Sequence, residues 1–143
     1  MITIFTPTYN REHTIVRIYE SLEKQTCKDF EWVVVDDGSS DDTIKVLLEL
    51  KKKANFTMTI HQQENAGKHV AINTGVQLSH GELFFIVDSD DWLQPDAIAT
   101  IQKLARNLPK HEKYAGIAGV RVNPAGKLIG TSFDTDYIDC TAF

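Results

Sequence analysis

Four short apolar, β-prone runs alternate with amphipathic stretches of helical period over about the first hundred residues, and this alternation leaves few folds open. The runs cover residues 2–5, 30–35, 56–61 and 83–87. Between the first two, Ile15, Ile18, Tyr19 and Leu22 recur at i, i+3, i+4 and i+7, one face of a helix. Ile44, Leu47 and Leu48 mark the buried face of a second helix. Lys51-Lys52-Lys53 sits favourably at its negative end. Ser39 and Asp42 have the spacing of a capping box before it. A third helix is expected over 68–78, stopped by Gly81. A fourth follows Pro95 and buries Ala97, Ile98, Ile101, Leu104, Ala105 and Leu108. Pro7 is expected to end the first strand. Residues 114–122 and 128–132 read as two further strands around Asn123-Pro124-Ala125-Gly126. The order implies an α/β fold, a mostly parallel Rossmann-like sheet flanked by helices.

At 143 residues, one domain is expected, with residues 133–143 as a polar, poorly ordered tail. The net charge of -5 and the lack of a basic stripe argue against nucleic acid as a partner. No run is long enough to span a membrane, and Met1 leads straight into a strand, so no signal peptide is expected. Cys27 and Cys140 lack metal-ligand spacing and read as small apolar residues in a reducing compartment.

Parallel sheets bind ligands at the carboxyl ends of their strands. Polar loops follow every strand there: Thr6-Pro7-Thr8-Tyr9-Asn10, Asp36-Asp37-Gly38-Ser39, residues 62–68, and Asp88-Ser89-Asp90-Asp91. Exposure alone explains polar loops, but it poorly explains carboxylate pairs ending two separate strands. The run 83–87 reads as a strand buried on both faces, with three carboxylates at its mouth. Like charges so close raise one another's pKa or demand a cation. Hard oxygen ligands on one short turn suit Mg²⁺ or Mn²⁺, above all beside a diphosphate; a solvated acidic turn is the plainer reading. Neither Gly-x-Gly-x-x-Gly nor Gly-Lys-Ser/Thr occurs, so the usual dinucleotide and P-loop sites are absent by pattern. Asn65-Ala66-Gly67-Lys68 opens a helix and offers N–H groups and an ammonium to phosphate, unless Lys68 is simply solvated. Tyr9 could lie against a flat base or pack on the first helix. Asp37 could accept from a base N–H or serve its own turn. Together these point to a nucleoside-diphosphate site.

Several segments carry a resemblance. They are Thr6-Pro7-Thr8-Tyr9-Asn10-Arg11, Gln25-Thr26, Val33-Val34-Val35-Asp36-Asp37-Gly38-Ser39-Ser40-Asp41-Asp42-Thr43, Asn65-Ala66-Gly67, Ala71-Ile72-Asn73-Thr74-Gly75, Gly81-Glu82 and Asp88-Ser89-Asp90-Asp91. In this order the chain resembles the nucleotide-binding half of a family 2 glycosyltransferase of the GT-A fold. The resemblance implies an inverting transfer of a sugar from an activated nucleotide, usually UDP-linked, to an acceptor hydroxyl. It implies that Pro7, Thr8, Tyr9 and Asp37 hold the base. Asp88 and Asp90 serve ribose and metal, with Asp90 the direct ligand, and Lys68 and Ser89 complete the substrate set. Asp91 caps the following turn. Lys68-His69 departs from many relatives.

The implied partners are a nucleotide-sugar donor, Mg²⁺ or Mn²⁺, and a carbohydrate, lipid-linked or polymer acceptor. The implied location is cytoplasmic, peripheral to the inner membrane face, with a role in cell-envelope polysaccharide synthesis. In such families the catalytic base lies well downstream of Asp-x-Asp. Asp134, Asp136 and Asp139 are the carboxylates left, and they lack the family's base signature. The expectation is a donor-binding fragment, truncated before the acceptor half, that binds nucleotide with metal but transfers little sugar alone. Two other classes stay open. One is a non-catalytic binding or interaction module. The other is a metal-dependent nucleotidyltransferase, for which residues 6–11 lack the phosphate loop.

Overall fold

The computed structural model describes residues 1–108, 117, 119–123 and 125–132. Two compact units divide the chain, Met1–Asn107 and Leu108–Phe143. The first runs β1 (Ile2–Thr8), α1 (Ile15–Glu23), β2 (Phe30–Asp36), α2 (Thr43–Lys53), β3 (Thr57–Gln62), α3 (Lys68–Leu78), β4 (Leu83–Ile86) and α4 (Ala97–Asn107). Its strands form one parallel sheet in the order β3-β2-β1-β4. The chain therefore steps outward from β1 to β3, then returns to the other side of β1. Right-handed crossovers demand that the helix changes faces when the direction reverses. Accordingly α1, α2 and α4 supply Ile15, Ile18, Tyr19, Leu22, Leu47 and Ile98 to one core, against Ile2, Ile4, Trp32, Val34 and Met58. On the other face α3 packs Ala71 against Phe5, Val33 and Val35. The reversal opens a crevice between the carboxyl ends of β1 and β4, where ligands enter sheets of this kind.

β1 and β2 are buried along their whole length. Trp32 is fully buried, and its Nε1 donates to Thr6 Oγ1 at 3.0 Å, so the indole's one polar atom is satisfied. Gly75 lets α3 lie close on the sheet, since a Cβ there would stand 2.1 Å from the Phe5 ring. At the amino ends of β1 and β2, Thr3 and Glu31 are register partners. Thr3 Oγ1 donates to buried Glu31 at 2.6 Å, Gly81 N–H donates to Thr3 Oγ1 at 2.9 Å, and His80 N–H donates to the same Glu31 oxygen. His80 Nδ1 lies 3.1 Å from the other Glu31 oxygen. Burial pushes the Glu31 carboxyl up, but the bonds from Thr3 and His80 outweigh it and hold it below its ordinary value.

Several expectations need correcting. Pro7 does not end β1, which continues to Thr8 with Pro7 opposite Val35. Pairing to β4 stops at Phe5, where Val87 N–H donates to Phe5 O, and Pro7 has no N–H to extend the ladder on that side. The run 83–87 is not buried on both faces. β4 has β1 as its sheet neighbour among the described residues, and Ile86 is 42% exposed. The capping box does not form: Ser39 Oγ donates to Asp36, while Asp41 accepts from Thr43 N–H at 3.0 Å ahead of α2. Leu48 and Leu104, expected inside, are 49% and 48% exposed. α3 has the expected bounds, but Ser79 is its cap. Gly81 instead lets the backbone pass β1, where a Cβ would lie 2.4 Å from Thr3 N.

In the second unit β5 (Arg121–Val122) pairs antiparallel with β6 (Leu128–Ile129), so among the described residues the two expected strands are reduced to two residues each. Asn123 Oδ1 binds Ala125 N–H and Lys127 N–H at 3.0 and 2.9 Å, closing the turn. Asp134, Asp136, Asp139, Cys140 and the expected tail lie outside the described residues. Among those described, no helix is long and apolar enough to cross a membrane.

Candidate functional site

A cleft of about 500 Å³ opens at the crevice between β1 and β4. Pro7, Thr8, Tyr9, Asp37, Lys68, Asp88, Ser89 and Asp90 all line it, so the structure brings every sequence-predicted site residue together. Arg11, Asn65, Gly67 and Ala71 line it too. Arg11 was absent from the expected set, although it closes the segment Thr6 to Arg11 that prompted the other residues. Its Nη1 donates to the backbone oxygens of Tyr9 and Asn10 at 3.4 and 3.2 Å, leaving the rest of the fork unengaged among the described residues.

The walls are tied by side chains that cap backbone. Asn10 adopts a φ of 51°, a turn that Asn tolerates. Its N–H donates to Ser39 Oγ, and its Oδ1 accepts from Ser40 N–H, both at 2.8 Å. Arg11 N–H donates to Thr43 Oγ1 at 2.8 Å. The loops after β1 and β2 are thus pinned together. Asp36, fully buried, accepts from Ser39 N–H at 2.9 Å and Gln62 Nε2 at 3.3 Å, joining the loops after β2 and β3.

Asp37 fixes the entrance to α3. Its Oδ1 accepts from Gln63 Nε2 at 2.8 Å and Ala66 N–H at 2.9 Å; its Oδ2 accepts from Gly67 N–H at 2.8 Å. Burial pushes this carboxyl up, but the three bonds outweigh it, with His69 nearby, and it titrates below its ordinary value. Three of about four acceptor positions are used, leaving about one for a ligand. Gly67 precedes α3 at a φ of 93°, where an L side chain would be strained. Asp37 thus anchors the loop ahead of α3 and not its own turn, where Ser39 bonds Asp36 instead.

Two features mark the floor as unfinished. Among the described residues, Thr8 Oγ1 is the buried side-chain polar atom with no hydrogen-bond partner. Such atoms are rare, because an unmade bond costs about 1–3 kcal/mol. The second is a cation. Lys68 Nζ stands 2.6 Å from Asp88 Oδ1, so the ammonium expected to face phosphate pairs with a carboxylate expected to serve metal. Asp91 closes its turn by its backbone N–H, which donates to Asp88 O at 3.0 Å.

Among the described residues, no three acidic, His or Cys side chains gather to hold a metal unaided. Asp88 and Asp90 on one turn still fit Mg²⁺ or Mn²⁺, which bind through one or two carboxylates plus substrate phosphates. Asp88 already carries one cation, the Lys68 ammonium, in an exposed ion pair.

Residues 3–127 match the profile described as Glycosyl transferase family 2. The chain is 38% identical over 102 residues to Glycosyltransferase GlyA of Streptococcus pneumoniae, which covers 71% of this chain and 14% of the relative. It is 41% identical over 99 residues to a chondroitin synthase of Escherichia coli, 68% of this chain and 14% of that one. Among solved structures it is similar to S. aureus TarS 1-349 in complex with UDP, at 32% identity and a TM-score of 0.64, over 73% of this chain and 31% of that chain. It is also similar to the mannosyltransferase PcManGT from Pyrobaculum calidifontis in complex with GDP-Man and Mn²⁺. There identity is 28% and the TM-score 0.70, over 75% of this chain and 32% of that chain. The chain thus spans 14% of the length of both curated relatives.

Proposed function

The chain belongs to glycosyl transferase family 2, and from that premise we propose that its unit Met1–Asn107 is a GT-A donor site for a nucleoside-diphosphate sugar and a divalent cation. The observation that carries this reading is the convergence of Pro7, Thr8, Tyr9, Asp37, Lys68, Asp88, Ser89 and Asp90 on one cleft at the switch in strand order. Each has a role toward a bound nucleotide in this reading. Tyr9, half exposed beside rigid Pro7, offers a face for the base. Asp37 accepts a base N–H with its remaining lone pair. Thr8 Oγ1 gains the partner it lacks among the described residues. Asp88 and Asp90 hold the cation and ribose, with Asp90 as direct ligand, and Lys68 serves the diphosphate, because the Ala66 and Gly67 N–H groups expected to face phosphate donate to Asp37 instead.

A divalent cation in this position neutralises charge that develops on the departing diphosphate. The chain's own residues orient the donor in the cleft. The transfer proposed for the whole protein is inverting, to an acceptor hydroxyl of a carbohydrate, lipid-linked or polymer partner, with a carboxylate base as proton acceptor. Titration calorimetry of UDP and GDP with and without Mn²⁺ tests the donor reading. UDP binding strengthened about tenfold or more by Mn²⁺, as a metal-bridged diphosphate requires, is expected. A chain that binds neither nucleotide with Mn²⁺ present refutes it.

A further inference from the structure

The Lys68–Asp88 pair does something the donor reading alone does not require. α3 has no acidic residue in its first turn, and its first residue is Lys68. A cation there opposes the helix dipole, whose positive end already lies at that terminus. Helix chemistry therefore disfavours lysine at this position. What the ammonium gains is Asp88, 2.6 Å away across the cleft mouth, with 57% of the Lys68 side chain and 46% of the Asp88 side chain exposed. An ion pair this exposed is worth at most about a fivefold shift in equilibrium, so it breaks easily. The four-carbon stem lets the charge move several ångströms while α3 stays in place. Asp90, Asn65 and Gly67 line the same cleft, so every partner in a rearrangement is within one site.

We infer that Lys68 is an exchangeable counter-ion, which neutralises Asp88 in the free protein and is handed to the donor diphosphate when a divalent cation takes Asp88. The inference rests on the donor-site reading and deepens it. Before loading, the lysine keeps Asp88 and Asp90 from facing each other uncompensated. A metal arriving alone must displace the ammonium and tolerate it nearby. A diphosphate arriving alone finds the ammonium engaged and the carboxylates repelling it. Arriving together, each frees the partner the other needs, so the two ligands bind with positive coupling. Reciprocity follows: nucleotide tightens metal by the same factor as metal tightens nucleotide.

One substitution tests this through two binding constants of opposite sign. In the full chain, Lys68→Met should tighten Mn²⁺ binding in the absence of nucleotide by about three- to tenfold, read by Mn²⁺ electron paramagnetic resonance. The same variant should weaken UDP at saturating Mn²⁺ by about tenfold, from loss of a charge-assisted contact. Lys68→Arg keeps the charge and should stay near wild type in both. Lys68→Gln, a good helix former with the charge removed, should repeat the Met result and exclude a folding artefact. Mn²⁺ affinity unchanged or weaker in Lys68→Met overturns the exchange, and so does unchanged UDP affinity. If the wild-type chain binds UDP with Mn²⁺ in either case, the donor reading survives while this inference falls. A wild-type chain that binds no nucleotide with Mn²⁺ overturns both.

Discussion

The two ends of the parallel sheet treat acidic groups in opposite ways. At the amino end, Glu31 is buried and accepts from Thr3 and His80, and Thr3 is itself bonded by Gly81 N–H. Every member of that group is occupied by protein, and the result ties the α3–β4 connection to the two central strands. At the carboxyl end, Asp88 has one exposed lysine, and Thr8 Oγ1 has no partner among the described residues. Both ends carry buried polar atoms and carboxylates, so composition does not tell them apart. What separates structure from function here is whether the protein has completed its own hydrogen bonds.

The largest effect expected from breaking that contrast is at Asp90. Asp90→Ala should reduce Mn²⁺-dependent UDP binding about 100-fold, or about 2.7 kcal/mol, by calorimetry. Its unfolding midpoint in urea should scarcely move, because an exposed carboxylate contributes under about 0.5 kcal/mol to folding. Glu31→Ala should invert the pattern. It strands Thr3 and His80 donors and should cost about 2–3 kcal/mol in urea unfolding, while Mn²⁺-dependent UDP affinity stays within about twofold. A loss of nucleotide affinity in Glu31→Ala would mean that the two ends are coupled through the sheet. Next comes Tyr9→Ala, expected to weaken UDP about tenfold through loss of stacking, with Tyr9→Phe near wild type. Equal losses in both variants would point to the hydroxyl.

The smallest effect is in acid. Folding lowers the Glu31 and Asp37 carboxyls. A group depressed in this way contributes stability above its unfolded value, about 4.3 for Glu and 3.9 for Asp, and loses it as pH falls toward the folded value. Urea unfolding across this range should show stability declining below about pH 4.3, with a shallower decline in Glu31→Gln and Asp37→Asn. An unchanged slope in both variants would show that other carboxylates dominate the acid limb.

Much of this was legible because local rules and fold rules agreed. Helical period located α1, and Gly67 with the polar run before it placed α3 at Lys68–Leu78. The rule that ligands gather at carboxyl strand ends pointed to the four polar loops, and the family resemblance singled out the residues within them. The missed features depend on long-range partners. β4 reads as a buried strand because its residues are apolar, yet its place in the sheet order half-exposes it. Leu48 and Leu104 repeat with the right period, yet both are about half exposed. Thr3, Glu31 and His80 are tens of residues apart and unite only through register and a crossover. Lys68 and Asp88 each had a role in the sequence, but nothing local says that each occupies the other.

The glycine at position 75 has a mechanical consequence. It lies seven residues beyond Lys68, about 10 Å down the helix at 1.5 Å per residue. Where Phe5 presses against it, α3 rests on the sheet as a beam rests on a pivot. A methyl group inserted at that pivot lifts the helix there and swings its far end, where the ammonium sits. The aim of a charge at the cleft mouth is thus set two turns away, by the absence of a side chain.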